Sequence, residues 1–194
     1  MAQGQTGQHG QPELSPHSDE RNAVVVGGGP TGTLVALYLA QMGWHVSVYE
    51  RREFDPTSSG SRRSYNIVLN DRGLKALSQA GVELPPEKHT ILKGNVRHTA
   101  KGPKLTQGFA NSVSIDRYDL TQCLIHEGQR RFPQTIRYHF QYQLQRIDFA
   151  RKRVYVQGSL GEISQGFDLL IGADGVFSAA VSYTHLTLPT TSRV

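Results

Sequence analysis

The sequence predicts an α/β fold whose nucleus is a strand, a glycine turn, a helix and a second strand. Three observations predict it. Ala23-Val24-Val25-Val26 is an apolar run of strand length that leads directly into Gly27-x-Gly29-x-x-Gly32. A helical pattern follows from Thr33 to Ala40. A second short strand, His45 to Tyr49, then ends in an acid, Glu50. This order is the Rossmann-like βαβ unit that holds a dinucleotide.

Each part has a physical task. Gly27 allows the tight turn, and Gly29 leaves room for a pyrophosphate against the backbone. Gly32 lets the helix pack closely on the strand. The helix start at Pro30 and Thr31, where Thr31 and the residues after it carry free N–H groups, faces the phosphates. Glu50 can accept hydrogen bonds from an adenosine ribose, which favours a free 2′-hydroxyl and hence FAD or NAD over NADP. The turn alone does not choose between those two. Arg51 and Arg52 follow the acid directly, and two readings stand: a reach toward adenine or phosphate, or a solvated pair.

The chain has 194 residues, enough for a domain with a real core. Its formal charge of +5 is spread in short clusters such as Arg62-Arg63 and Arg151-Lys152-Arg153. No basic stripe or nucleic-acid motif accompanies them, so no nucleic-acid partner is expected. The single cysteine, Cys123, excludes an internal disulfide and falls in a helical pattern where packing is its expected role. The eight histidines form no H-x-x-x-H pair, and no metal site is expected. No apolar run is long enough to cross a bilayer, and no signal-peptide core stands near the start. An intracellular protein, cytoplasmic or organellar, is expected.

Residues 1–21 precede the first strand and are rich in Gln, Gly, His and Ser, which predicts disorder. After the loop 51–64, Tyr65 to Leu69 reads as a strand and Asn70 to Gly81 as a capped helix ending in glycine. Residues 82–90 read as a Pro-containing loop, and 91–116 as two or three short antiparallel strands. A helix from about Arg117 to Arg131 has Asp116 or Ser114 as its cap. Ile136 to Phe140 reads as a strand. Tyr142 to Asp148 and Arg153 to Gln157 alternate as a hairpin would. Phe167 to Ile171 is an apolar strand that stops at Gly172-Ala173-Asp174-Gly175. Ligands sit at the carboxyl ends of strands in such sheets, so Asp174-Gly175 is placed either to address the nucleotide or to make a turn.

Three elements now stand in order: the glycine turn with Glu50, the Arg117-Tyr118-Asp119-Leu120 helix start, and Asp168-Leu-Leu-Ile-Gly-Ala-Asp174-Gly175. Together they resemble the single-component flavoprotein monooxygenases, the class A aromatic hydroxylases, and within them the kynurenine 3-monooxygenase branch. That branch has a stretch similar to Arg62-Arg63-Ser64-Tyr65-Asn66-Ile67-Val68-Leu69-Asn70-Asp71-Arg72-Gly73. The resemblance implies a Rossmann-like FAD-binding domain with part of an inserted β-rich substrate domain. It implies FAD as cofactor, NADH or NADPH as co-substrate, and O2 and a small aromatic molecule as the other reactants. It places Arg117 and Leu144 at the flavin side, and Asp174 and Gly175 near the pyrophosphate. The flavin supplies the oxygen chemistry while the protein orients it, so no catalytic side chain is named. On the substrate side this chain departs from the pattern. Asn95, flanked by Lys93 and Arg97, stands where the resemblance places a carboxylate-gripping Arg, and Phe109 stands near an expected Tyr.

Two other readings remain open from sequence. One is another flavin enzyme on the same scaffold; a halogenase-like W-x-W-x-I-P stretch is excluded by the sole Trp44. The other is a non-catalytic nucleotide-binding protein. The family's downstream Gly-Asp motif does not occur after Gly175. Instead, Val181-Ser-Tyr-Thr-His-Leu-Thr-Leu-Pro-Thr190 matches one reading frame of a common transposase sequencing adapter. The expectation is a family domain over 22–180, artefactual residues over 181–194, and no activity from this stretch alone.

Overall fold

The computed structural model describes residues 21–55, 64–106, 112–175 and 178–180. The predicted leader up to residue 20 and the tail 181–194 lie outside the described residues. Arg21 lies inside them: its guanidinium donates to the Met42 carbonyl and sits 4.8 Å over the Trp44 ring.

A parallel sheet is the frame. Its strands are β1 (Asn22–Val26), β2 (His45–Glu50), β8 (Ile136–Phe140) and β12 (Leu169–Gly172), in the order β12-β1-β2-β8. Both neighbours of β1 run parallel to it. One face carries the helices α1 (Pro30–Gln41), α2 (Asp71–Gln79) and α3 (Arg117–Arg131). The other carries an antiparallel meander of β9 (Gln143–Asp148), β10 (Arg153–Gly158) and β11 (Gly161–Gly166), in the order β11-β10-β9.

The strand pattern follows from this double cover. Ala23 and Val25 point into the helix-side core with Leu37, Val46, Val48 and Leu124. Val24 and Val26 point into the meander-side core with Tyr49, Leu144, Val154 and Val156. Successive side chains alternate between faces, so a strand covered on both sides must be apolar throughout. That is why β1 reads as an unbroken apolar run.

The helices dock through side chains that the sequence also supplies. The Tyr38 hydroxyl donates to the Ala76 carbonyl at 2.8 Å, and Gln41 Nε2 to the Ala80 carbonyl at 3.0 Å, which ties α1 to α2. α2 is capped by Asn70, whose Oδ1 accepts from the Gly73 N–H, and it ends at Gly81 with φ +71°. Arg131 donates to the Ala80 carbonyl at 2.6 Å and closes that end. For α3 the cap is Asp116, which accepts from the Tyr118 and Asp119 N–H groups. Ser114, the alternative cap, lies inside a strand.

That strand is β7 (Val113–Asp116), the centre of a small antiparallel sheet with β3 (Asn66–Leu69) and β4 (His89–Ile91). β5 (Asn95–Thr99) and β6 (Gly102–Thr106) form a separate two-stranded ribbon. The predicted loop 82–90 contains a short 3-10 turn, Pro86–Lys88, and the first residues of β4. β11 is absent from the sequence-based reading. Its stretch Gly161-Glu-Ile-Ser-Gln-Gly166 is mostly exposed and has a single large apolar residue, so it gives no alternation signal.

Core position decides the cost of truncation. Leu124 is 0% exposed and Leu160 is 97% exposed. Leu124→Ala is expected to cost about 2–5 kcal/mol in urea unfolding, while Leu160→Ala stays within about 0.5 kcal/mol. Equal losses would show that the helix-side core is not packed as described.

Candidate functional site

The carboxyl ends of β1, β2 and β12 meet the start of α1 and the turn after β8. A cleft of about 370 Å3 opens there. Gly27, Gly29, Glu50, Arg51, Arg52, Arg117, Leu144, Asp174 and Gly175 all line it, joined by Tyr49, Tyr65, Tyr142 and Gln143. Pro30, Thr31 and Gly32 begin α1 behind the glycine turn. The sequence-predicted residues, far apart in the chain, are therefore brought to one place.

The glycine turn is built by close backbone approach. Gly27 has φ +107°, and a Cβ there would lie 2.4 Å from the Ala173 carbonyl oxygen. A Cβ on Gly32 would lie 1.9 Å from the Gly27 carbonyl oxygen and 3.3 Å from the Ala173 Cβ. Gly32 thus packs the helix against the turn and the end of β12. At Gly29 a Cβ would stand 3.0 Å from Arg117 Nη2, so the bare backbone and the guanidinium share one wall of the cleft. Pro30 fits the first helical position because its missing N–H has no intrahelical partner.

Glu50 is held ready rather than free. Its Oε2 accepts from the Gly28 N–H at 2.9 Å, and its Oε1 accepts from the Arg52 N–H at 2.9 Å. Each carboxylate oxygen keeps a lone pair for a further donor. Arg51 and Arg52 are exposed at the rim.

Arg117 is the first residue of α3, and its N–H donates to the Tyr65 carbonyl at 3.0 Å. A cation in the first turn opposes the helix dipole. The Arg117 side chain lines the cleft.

Asp174 makes the turn, one of the two readings left open by sequence. Its Oδ2 accepts from the Ala179 N–H at 2.7 Å and the Ala180 N–H at 3.3 Å, and its Oδ1 accepts from the Ser178 hydroxyl. Its carboxylate caps the helical turn that follows, and Asp174 and Gly175 both line the cleft.

Tyr49, Tyr142 and His139 form a wall that sequence reasoning missed. Tyr49 stacks on His139 with centroids 4.7 Å apart, and Tyr142 stands edge-on to both at 6.0 Å. Burial, and the neighbouring Tyr142, push the Tyr49 phenol up to about 12, so it remains a donor at neutral pH. Burial, with Arg137 nearby, lowers His139 below its ordinary value and favours the neutral ring. The turn entering this wall is held to β2: the Gln141 N–H donates to the Arg52 carbonyl and the Tyr142 N–H to the Glu50 carbonyl. Gln141 has φ +63°, an unusual conformation for a side-chain-bearing residue. Tyr49, His139 and Tyr142 occur at no motif spacing, which is why the wall was not legible.

Cys123 lies elsewhere, in a groove of about 340 Å3 along α3 with Phe54, Val82 and Pro85. Burial raises its thiol, which makes it a poor nucleophile. Among the described residues, no cluster of His, Cys, Asp and Glu could hold a metal ion. On the substrate side, Asn95 lies on β5 and accepts through Oδ1 from the Thr106 hydroxyl. Phe109 lies outside the described residues.

Comparison with known proteins adds the following. Residues 20–194 match the family described as FAD binding domain. The chain is 35% identical over 166 residues to a kynurenine 3-monooxygenase of Salinispora tropica, covering 80% of this chain and 36% of that protein. It is 33% identical over 182 residues to a kynurenine 3-monooxygenase of Drosophila willistoni, covering 84% and 38%. In fold it is similar to a p-nitrophenol 4-monooxygenase from Pseudomonas putida, with a TM-score of 0.66 at 19% identity over 83% of this chain and 42% of that one. It is equally similar to the tetrameric form of 2-methyl-3-hydroxypyridine-5-carboxylic acid oxygenase, with a TM-score of 0.66 at 22% identity over 83% and 41%. The chain thus spans between 36% and 38% of the length of those two curated relatives.

The glycine contacts make a direct prediction. Gly32→Ala places a methyl where the Gly27 carbonyl stands, so the turn must shift. The variant is expected to lose nucleotide binding and at least about 1–3 kcal/mol of stability. Gly43→Ala, at a surface turn with φ +79° and nearest neighbour at 3.9 Å, is expected to lose stability but keep binding. Calorimetric melting and ADP titration of both variants check this; retained binding in Gly32→Ala would contradict the geometry.

Proposed function

The chain belongs to the FAD-binding domain family, and from that premise we propose that it is the FAD-binding portion of an NAD(P)H-dependent flavoprotein monooxygenase that hydroxylates an aromatic substrate. The single observation that supports this most is convergence: the glycine turn, Glu50, Arg117, Leu144 and the Asp174-Gly175 end of β12 line one cleft. The residues present fit the cofactor. The surface at Gly29 is a cradle that a Cβ would fill, with Arg117 beside it to face an anion. Glu50 is oriented by two backbone N–H groups to receive a ribose hydroxyl.

In this reading Gly27, Gly29, Pro30, Thr31 and Gly32 hold the pyrophosphate through backbone and helix start. Glu50 holds the adenosine ribose, and Arg51 and Arg52 stand at the adenine and phosphate rim. Arg117 and Leu144 face the flavin half, and Asp174 and Gly175 close the pyrophosphate side. When bound, the flavin takes up a hydride from NADH or NADPH and activates O2 for insertion into an electron-rich ring. This chain's residues bind and orient it, and the apolar wall of Tyr49, Tyr142 and Leu144 keeps water from one side.

The relatives' substrate is a weaker guide. An arginine fork grips a carboxylate with two hydrogen bonds, and an asparagine cannot. Asn95 is moreover engaged by Thr106. Kynurenine therefore fits less well than an aromatic substrate recognised by its ring and hydroxyl or amino groups.

Two measurements test the proposal. Titration of the chain with FAD and with ADP is expected to show saturable binding of both. Glu50→Gln sets an amide N–H against one backbone N–H, and it is expected to weaken ADP at least about tenfold, or about 1.4 kcal/mol. The product of the genomic locus, loaded with FAD, is expected to consume NAD(P)H and O2 and to release a hydroxylated ring when given aromatic substrates. Absent flavin binding, or binding indifferent to Glu50→Gln, would contradict the assignment.

A further inference from the structure

A polar bridge runs behind the cleft between the parallel sheet and the meander. Gln165 on β11 donates from Nε2 to the Ser47 hydroxyl at 2.8 Å, and its Oε1 accepts from the Tyr49 hydroxyl. Ser47 and Tyr49 are alternate residues of β2, both on the meander side and both buried, at 7% and 3% exposure. Gln165 is paired with Val154 of β10, a fully buried member of the meander-side core. One amide thus satisfies two hydroxyls inside an otherwise apolar interface, at a position where an unpaired hydroxyl would cost about 1–3 kcal/mol.

The bridge does more than satisfy polar atoms, because of what Tyr49 touches. Its ring is stacked on His139 and meets the edge of Tyr142. Tyr142 is in turn packed on Gly158 of β10, where a Cβ would lie 2.5 Å from the ring. Tyr49 and Tyr142 are both cleft walls, and Tyr142 lies next to Glu50, whose carbonyl accepts its N–H. Arg117 lies against Gly29 of the glycine turn, and both line the same cleft.

We propose that Gln165, which does not line the cleft, is a positioning residue for the adenosine half of the cofactor, acting through Tyr49 and Tyr142. The inference rests on the reading of the cleft as the FAD site. The amide of Gln165 fixes the height and tilt of the Tyr49 ring, Tyr49 fixes Tyr142, and Tyr142 sets the wall beside the ribose-binding carboxylate. The meander thereby shapes the nucleoside pocket, while the pyrophosphate pocket is shaped by the glycine turn and is independent of it.

The experiment separates the two halves. The 194-residue chain, its Gln165→Met and Tyr49→Phe variants and the double variant are titrated with ADP and, separately, with inorganic pyrophosphate, and their melting is recorded. Gln165→Met removes both hydrogen bonds at similar length; Tyr49→Phe removes one hydroxyl and keeps the ring, so it carries the test if the first variant does not fold. Each is expected to weaken ADP roughly fivefold or more, with the double variant no weaker than the worse single one, as coupled neighbours behave. Pyrophosphate affinity is expected to stay within about twofold. ADP affinity unchanged in both variants, or ADP and pyrophosphate falling together, would overturn the inference while leaving the cleft assignment intact. Failure of the unaltered chain to bind ADP would overturn the cleft assignment and this inference with it.

Discussion

The site depends on the approach of two strand ends at Gly27. The carbonyl of Ala173, at the end of β12, occupies the space where a side chain on Gly27 would stand. Because that space is free, β1 and β12 run side by side to their last residues, and the Ala173 N–H reaches the Val26 carbonyl. The turn then delivers Gly28 to Glu50 at the end of β2, and Gly29 to Arg117 at the start of α3. Four segments far apart in sequence meet here, the glycine backbone lying against the Ala173 backbone, the Glu50 carboxylate and the Arg117 guanidinium. The cleft is the concavity left beside this junction.

The energetic division is clear. The parallel sheet is covered on both faces, and its fully buried valines and leucines provide most of the driving force, each worth about 1.5–3 kcal/mol relative to exposure. Tyr49 and Leu144 belong both to that core and to the cleft, while other features at or beside the cleft oppose stability: a cation begins α3, and Gln141, next to Tyr142, sits at positive φ. Such features concentrate where a ligand is to be met. Asp174 caps the next turn with its carboxylate and also lines the cleft.

Much of this was legible in sequence because it follows from local rules. The four-residue apolar run, the glycine spacing and the terminal acid define β1, the turn, α1 and β2. Asn70 and Asp116 announce the starts of α2 and α3, and Gly81 the end of α2. The resemblance pointed to Arg117, Leu144, Asp174 and Gly175, and these four line the same cleft. What was not legible depends on tertiary pairing. β11 has an exposed and polar sequence and is a strand because β10 offers it an edge. Gln165 reads as one more surface glutamine until the register sets it opposite Val154 and over Tyr49. The Tyr49–His139–Tyr142 wall joins residues of two parallel strands and a turn, and no spacing rule connects them. Asp174 looked like a turn residue or a ligand residue, and it is a cap as well.

The central claim is that the junction at Gly27 and Glu50 is where a flavin adenine dinucleotide docks. The most direct measurement is the amide spectrum of the isotopically labelled chain during titration with FAD. The account predicts that the largest shifts fall on the amides of Gly27, Gly28, Gly29, Glu50, Leu144 and Gly175, with those of α2 and the groove at Cys123 unmoved. Shifts centred on the Cys123 groove, or no saturable change at the glycine turn, would contradict it.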